Sequence, residues 1–451
     1  MKRILSFILF VAVSLVATFT ALAAGQEEKG TATSQVTLLF WPGPESDAMR
    51  KVIDAYNIGE GKTDGVSVKQ LLFSRQGFFD RELKDLAAAS TQFDLIPVTT
   101  YTLGSYAPYL AQIDSYATAD AVKLFIPSTL DTLRLKGNLY GVPTEVSVHF
   151  LYYRSDLISR LQSDRSWAEK YSQIAKSVLG QDMTPQDPAD WIWNDYLATA
   201  LFFTKALNPD SPVTYGTVLQ LKNLIFNIMI WDDVLASNGG NWLDAQGNVI
   251  INSPEARASL QIYQTIIDNK ATPPGSTNYE FPETNMAFST GLAATALQWN
   301  AAFPILNDPK RSPLVAGKVG IAPIPAGSAG HKTHEHSLGI GLNNASKNKD
   351  AAGKFLAYLL SQGGMEIYAM AGGTPPVSSV LSAMATKRPD FSKVAEYLDK
   401  YGYIINDGTA SYAVPVYQIL ADEFSEVWTG QKTIDAALAN GALRMTSTIS
   451  K

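Results

Sequence analysis

Short apolar runs alternate with amphipathic helical stripes from residue 36 onward, and this alternation constrains the fold more than any other feature. Residues 36–41 form an apolar run closed by Pro42-Gly43-Pro44. Met49, Val52, Ile53 and Tyr56 then recur at helical spacing. The unit repeats: residues 66–73 read as a strand, Phe79, Leu83, Leu86 and Ala87 as a helix stripe, and residues 93–98 as the next strand. Strand, helix and strand in succession build a sheet covered by helices, so the expectation is an α/β protein with mainly parallel strands. From residue 155 to about 230 the chain turns helical and aromatic, with breaks at Pro185, Pro188, Pro209 and Pro212. Residues 244–248 read as a turn, and Ser253-Pro254 as the start of a helix with the stripe Ala256, Leu260, Tyr263 and Ile267. Strand character returns at 319–324 and 338–342. A helix over 348–360 is expected to stop at Gly363-Gly364.

The first residues carry an address. Lys2 and Arg3 precede an apolar stretch at 4–17, and the small residues Ala21 and Ala23 suit a signal peptidase, so residues 1–23 read as a cleaved signal peptide. The apolar stretch is shorter than the roughly 20 residues that cross a bilayer. Residues 24–35 read as a flexible N-terminus. Cleavage would leave 451 − 23 = 428 residues and move the formal charge from −6 to −8 by removing Lys2 and Arg3. A chain of that length outgrows one ordinary core and suggests two domains. Its acidic balance argues against nucleic acid or an anionic membrane surface as a partner. With no cysteine, disulfides, thiol nucleophiles, cysteine metal sites and a lipobox attachment are all excluded. The expected product is free, soluble and periplasmic.

Signatures of catalysis are absent from the sequence. There is no Gly-x-Ser-x-Gly elbow and no Walker loop, and Gly339-Ile340-Gly341 lacks the third glycine of a dinucleotide fingerprint. His331, His334 and His336 cluster without the His-Glu-x-x-His spacing of a zinc site and follow the loop at 325–330, so they read as a solvated loop. No metal and no cofactor is expected. Asp232-Asp233 and Glu145 are the carboxylates a secreted glycosidase would need, but carboxylates this common pair by chance.

Several segments resemble a family. Val36-Thr37-Leu38-Leu39-Phe40-Trp41 and Phe93-Asp94-Leu95-Ile96-Pro97-Val98 are similar to its first and third strands. The specific match is Lys136-Gly137-Asn138-Leu139-Tyr140-Gly141-Val142-Pro143, followed by Leu151-Tyr152-Tyr153-Arg154-Ser155-Asp156-Leu157. Gly239-Gly240, Phe288 to Gly291, Trp299, Ala345-Ser346-Lys347-Asn348-Lys349 and Gly372-Gly373-Thr374-Pro375-Pro376-Val377 continue it. Together they resemble the family 1 extracellular solute-binding proteins, the sugar-capturing receptors of ABC importers. Two departures stand out: the family's tryptophan position is here Ser337-Leu338-Gly339, and the lipobox cysteine is missing.

The resemblance implies a two-lobed periplasmic binding protein fold of type II, with a cleft between α/β lobes joined by about three hinge crossings. These fall near 142–148, 313–319 and 372–377. Lobe 1 is then 36–143 plus 319–371, and lobe 2 is 144–313 plus 377–451. Prolines and glycines at each crossing suit a hinge that absorbs rotation while the lobes stay rigid. A sugar has apolar C–H faces and hydroxyl edges, so it asks for aromatic platforms and planar polar groups. Trp41, Trp231, Trp242 and Trp299, placed in or beside loops, are the expected platforms. Glu45 and Glu145 are the expected acids, the latter where relatives place a sugar-binding carboxylate. Thr99 and Tyr101 follow the third strand at the sheet edge where open α/β sheets bind ligands. Gly372 and Gly373 are expected to bring backbone amides close to the ligand. The implied partners are a carbohydrate ligand and the permease subunits of an ABC importer, with the receptor acting as a monomer. A polyamine- or glycerol phosphate-binding protein is the alternative; it would need an acid cage or a basic cluster.

Overall fold

The computed structural model describes residues 33–405 and 408–450; the expected signal peptide lies outside them. Ten strands carry the architecture. In chain order they are β1 (Ser34–Phe40), β2 (Val66–Leu72), β3 (Leu95–Thr99), β4 (Leu110–Ala111), β5 (Val142–Ser147), β6 (His149–Arg154), β7 (Tyr215–Val218), β8 (Ala293–Trp299), β9 (Val319–Ala322) and β10 (His336–Asn343). Since β1 already begins at Ser34, the expected tether over 24–35 overlaps the first strand.

The strands form two sheets. One has the order β2-β1-β3-β10-β4, with β5 also paired to β10, and the other the order β9-β6-β8-β7. The expected mainly parallel pairing is corrected. β1 runs parallel to β2 and β3, and β8 parallel to β7, but β10 is antiparallel to β3, β4 and β5, and β6 is antiparallel to β8 and β9. The antiparallel pairs arise where the chain returns from the opposite lobe, a route that repeated strand–helix–strand units do not encode.

Helices cover both sheets. Pro44–Ile58 begins with proline, whose fixed φ suits a first turn, and buries Met49, Val52, Ile53 and Tyr56 as its spacing predicts. Lys349–Leu359 is not ended by Gly363-Gly364. The Ser361 hydroxyl accepts from the Gly364 amide and starts a new helix, Gln362–Met370, with both glycines in its first turn. In Ile225–Ser237 almost every residue is buried, Asp232 and Asp233 included, so this helix runs through the core of the second lobe instead of lying on its surface.

The chain crosses between the sheets three times. Val148 alone separates β5 from β6. The second crossing lies after Ala322, because β9 pairs with β6; the expected crossing at 313–319, and a first lobe resuming at 319, are corrected accordingly. The third runs through Thr374, between helices packed on β1 and β10 and the helix Asp390–Tyr401, whose Tyr397 meets Phe150 of the second sheet at 5.6 Å.

Buried side chains stitch the crossings together. Asn300, fully buried, accepts from the Val148 amide at 3.0 Å and donates to the Val146 carbonyl at 3.2 Å and to the Thr374 hydroxyl at 3.1 Å. The Val146 amide donates to the Thr374 carbonyl at 2.9 Å. The Thr374 amide donates to Glu145 at 2.8 Å. Thr333, on the second crossing, accepts from the His149 amide at 3.0 Å. Glu145 reaches Thr374 because the register of β5 against β10 slips beside Leu338 and Gly339, a bulge that re-aims the side chain.

Burial, reinforced by the negative charge of Glu45, pushes the Glu145 carboxyl from 4.5 up to about 8. A pKa raised on folding stabilises the protein below the unfolded value and loses that contribution as pH rises towards the folded one, here from about 4.5 to about 8. Glu145→Gln keeps an acceptor for the Thr374 amide but cannot ionise. Denaturant unfolding across this range should show the variant gaining on the parent with rising pH, by on the order of a few kcal/mol at the alkaline end. A difference that does not change with pH would mean Glu145 is charged throughout.

Candidate functional site

Three cavities lie along the seam between the lobes. The inner one, of about 40 Å³, is lined on the first-lobe side by Trp41, Glu45, Thr99, Tyr101, His336 and Ser337, and on the other by Phe226, Phe281 and Trp299, with Ser147 at the crossing. An outer bay of about 460 Å³ opens between Pro42, Asp47 and Gly372 on one side and Phe281, Asn285 and Met286 on the other. A third space of about 300 Å³ separates residues 75–80 from Leu224, Phe226 and Gln418. The inner cavity has room for only a few waters, so the lobes are closed.

Arg75 lines all three spaces. It leaves the first lobe after β2 and meets Glu280 across the seam at 2.7 Å, with its Nε donating to the same oxygen at 2.9 Å. Its guanidinium also lies 4.8 Å from the Phe226 ring centroid. Glu280 precedes the helix Phe281–Ser289, and its backbone amide donates to the Glu283 carboxylate in the first turn at 3.1 Å. Phe79 meets Phe226 at 5.9 Å, so an aromatic contact closes the seam beside the ion pair.

The cavity walls are aromatic. Trp41 is held edge-on by Phe78 at 5.2 Å and Phe79 at 5.8 Å, and Tyr101 by Phe79 at 5.4 Å. Trp299 is half-buried and meets His149 at 4.2 Å and His336 at 5.1 Å. Burial raises the Glu45 carboxyl, with Arg75 pulling it back.

His331 lies in a loop, half-buried, but His334 and His336 are not part of a solvated loop. His334 and His336 are 1% and 3% exposed, and their rings stack at 3.8 Å. His334 ends the short strand Thr333–His334, paired with Gly402–Tyr403, whereas His336 opens β10 and lines the inner cavity. Burial lowers His334 to about 3 and holds His336 well below the usual imidazole range, with the neighbouring histidine rings adding to both effects. His149 donates from Nδ1 to Asp233 at 2.7 Å, and Asp233 also accepts from the His334 amide at 2.7 Å and the Tyr403 hydroxyl at 3.2 Å. Among the described residues no group of three or more His, Cys, Asp or Glu side chains is placed to hold a metal ion.

Of the residues expected at the site, Trp41, Glu45, Thr99, Tyr101 and Trp299 meet around the inner cavity, and Gly372 lines the outer bay. Four do not. Glu145 is turned into the hinge by the bulge. Trp231 lies inside the buried helix against Phe424 at 4.6 Å, not in a loop. Trp242 is fully buried, with its indole donating to Asp232 at 3.1 Å and its ring 4.6 Å from Tyr417. Gly373 is small because a Cβ there would come within 2.1 Å of the Tyr368 ring. Nor are the amides of Gly372 and Gly373 free for a ligand, since they donate to the Ala369 and Tyr368 carbonyls. Sequence reading missed Arg75, Ser147, Phe226, Phe281, His336 and Ser337. His336 and Ser337 had drawn notice, one in the histidine cluster and the other at the family's tryptophan position, but neither as a residue of the site.

Comparison with known proteins agrees with this geometry. The family described as bacterial extracellular solute-binding protein matches residues 43–366. A Deinococcus radiodurans protein named "Probable ABC transporter-binding protein" is 25% identical over 70% of this chain and 69% of its own length. A mannitol-binding protein of Pseudomonas aeruginosa is 23% identical over 83% of this chain and 84% of its own. The structure of maltose-bound MalE3 from T. maritima superposes with a TM-score of 0.77 at 22% identity, over 92% of this chain and 99% of that one. The match spans well over half of the chain and is joined by a common two-lobed architecture: this protein belongs to the bacterial extracellular solute-binding protein family.

Proposed function

We propose that this protein is a periplasmic receptor that captures a neutral sugar or sugar alcohol between its lobes and presents it, as a monomer and without catalysis, to the permease of an ABC importer. The reading rests on the inner cavity, where indole and phenol rings from both lobes surround small polar groups. Stacked aromatics suit C–H faces, and Thr99, Ser147 and Ser337 suit hydroxyl edges. Mannitol and maltose, named with the relatives, are ligands of this kind. A polyamine would need several ionised acids, yet burial shifts Glu45 towards its neutral form. A phosphate would need a basic cluster, whereas Arg75 is already paired with Glu280. The carboxylates a hydrolase would use are engaged elsewhere: Asp233 with His149, Asp232 with Trp242 and Glu145 with Thr374.

Thermal melting over a panel of neutral sugars, sugar alcohols, polyamines and glycerol phosphates tests the class, because a ligand that binds only the folded state raises the melting temperature by mass action. At least one neutral polyhydroxy compound should raise it; a response confined to polyamines or phosphates would overturn the proposal. With the ligand in hand, Trp299→Ala should weaken binding by about 1–3 kcal/mol through loss of a stacking face, measured by calorimetry. Affinity within twofold of the parent would remove Trp299 as a platform.

Closure makes a separate prediction. A ligand stabilises the closed form only by its extra affinity for that form, while the Arg75–Glu280 pair already favours closure without it. Arg75→Ala should therefore enlarge the radius of gyration of the ligand-free protein in small-angle scattering, and saturating ligand should restore the compact value. An unchanged radius in the ligand-free variant would show that the pair does not hold the seam.

A further inference from the structure

His336 presents an unusual problem of satisfaction. The ring is almost fully buried and lines the inner cavity, yet neither Nδ1 nor Nε2 has a hydrogen-bond partner. A buried polar group without a partner typically costs about 1–3 kcal/mol, so a side chain with two such atoms beside the cavity needs a physical reason. Core filling does not supply one, since Phe or Leu at 336 would fill the space without the penalty.

The surroundings fix the form of the ring. His334 stacks on one face, Trp299 and Tyr101 lie at 5.1 Å and 5.8 Å, and His149 at 5.5 Å. Burial and the two histidine neighbours keep His336 uncharged. A neutral imidazole offers one N–H donor and one acceptor nitrogen. Because each ligand hydroxyl can both donate and accept, groups on neighbouring carbons match this set, whereas a carboxylate or phosphate would leave the acceptor nitrogen facing negative charge.

We propose that His336 is the specificity-determining group of this receptor, binding a pair of adjacent hydroxyls of a neutral sugar or sugar alcohol at the floor of the cleft. This rests on the reading of the cleft as a site for neutral polyhydroxy ligands. Trp299 then forms the wall beside the hydroxyl pair, and Tyr101 the opposite edge.

The test begins with the parent and a panel that includes D-mannitol, maltose, their deoxy analogues and the corresponding sugar acids. If no neutral compound raises the melting temperature, the reading of the cleft fails and the His336 proposal falls with it. If one does, His336→Phe is titrated with that compound. The proposal expects a loss of tenfold or more for His336→Phe, with a ligand-free melting temperature equal to or above that of the parent, since the phenylalanine removes unpaired polar atoms. Removal of either adjacent hydroxyl from the ligand should cost the parent more than it costs the variant. Affinity of His336→Phe within twofold of the parent overturns the assignment while leaving the reading of the cleft intact. Should that variant fail to fold, nitrogen-15 NMR of the parent decides. The chain has only four histidines, and saturating ligand should shift both ring nitrogens of His336 while leaving those of His331 in place. Unmoved His336 resonances overturn the proposal.

Discussion

The side chain of Asn300 holds together what the fold would otherwise leave loose. Three strands of backbone pass between two sheets, and each passage exposes amides and carbonyls that no ladder satisfies. Asn300 answers two of these passages at once, bonding Val146, Val148 and Thr374. An aliphatic side chain of the same size would leave a buried amide and carbonyl unpaired. Glu145 and Thr333 extend the stitching to the remaining groups. The hinge is therefore a small, fully buried polar core, distinct from the apolar cores of the lobes. Its hydrogen bonds fix where rotation takes place.

The seam is built on a different principle. Its contacts come from opposite lobes and can separate without leaving a buried hole: Phe79 on Phe226, and Arg75 on Glu280. Arg75 and Glu280 keep side-chain exposures of 22% and 9%, so water can replace each partner and the pair favours closure only modestly. A hinge that must not slip is thus made of buried hydrogen bonds, whereas a seam that must open is made of edges and one ion pair.

How far the sequence revealed this differs between fold and site. The strand–helix alternation located β1, β2, β3 and the helix between the first two to within about two residues, because β1 and β3 are continuous apolar runs buried on both faces and the helix buries one clean stripe. It misjudged strand direction, since the antiparallel entry of β10 is set by tertiary routing and not by local pattern. At the site, Trp41, Tyr101 and Thr99 were legible from their place after strands at the sheet edge. Trp231 and Trp242 were misread because tryptophan near a loop looks the same whether it faces a cleft or fills a core; the helix Ile225–Ser237, buried on every side, decided between them. Glu145 was misread because a one-residue bulge in β5 reverses where a side chain points. Arg75, Phe226 and Phe281 matter through contacts between segments distant in sequence, which no local signal announces.

The second crossing joins hinge and site. Asp233, from the core helix of the second lobe, holds the backbone amide of His334, while His336 is paired in the first sheet opposite Ser147. Two residues after an atom fixed to one lobe, the chain is fixed to the other; the Glu335 amide between them donates to the Tyr403 carbonyl at 2.9 Å, which confines any rotation here to the link between Glu335 and His336. The first crossing has the same economy, with Val148 alone between Ser147 and His149. Because Ser147 and His336 are register partners, the two pivots lie side by side and an axis through them passes beside the His336 ring. Points near a rotation axis move least. On an opening about that axis, Trp299 and Phe226 would swing away from Trp41 and Tyr101 while His336 would keep its place. Under the proposed function, an arriving ligand would meet His336 already positioned before the aromatic walls close, so the entropy of ordering that group would not be charged against binding.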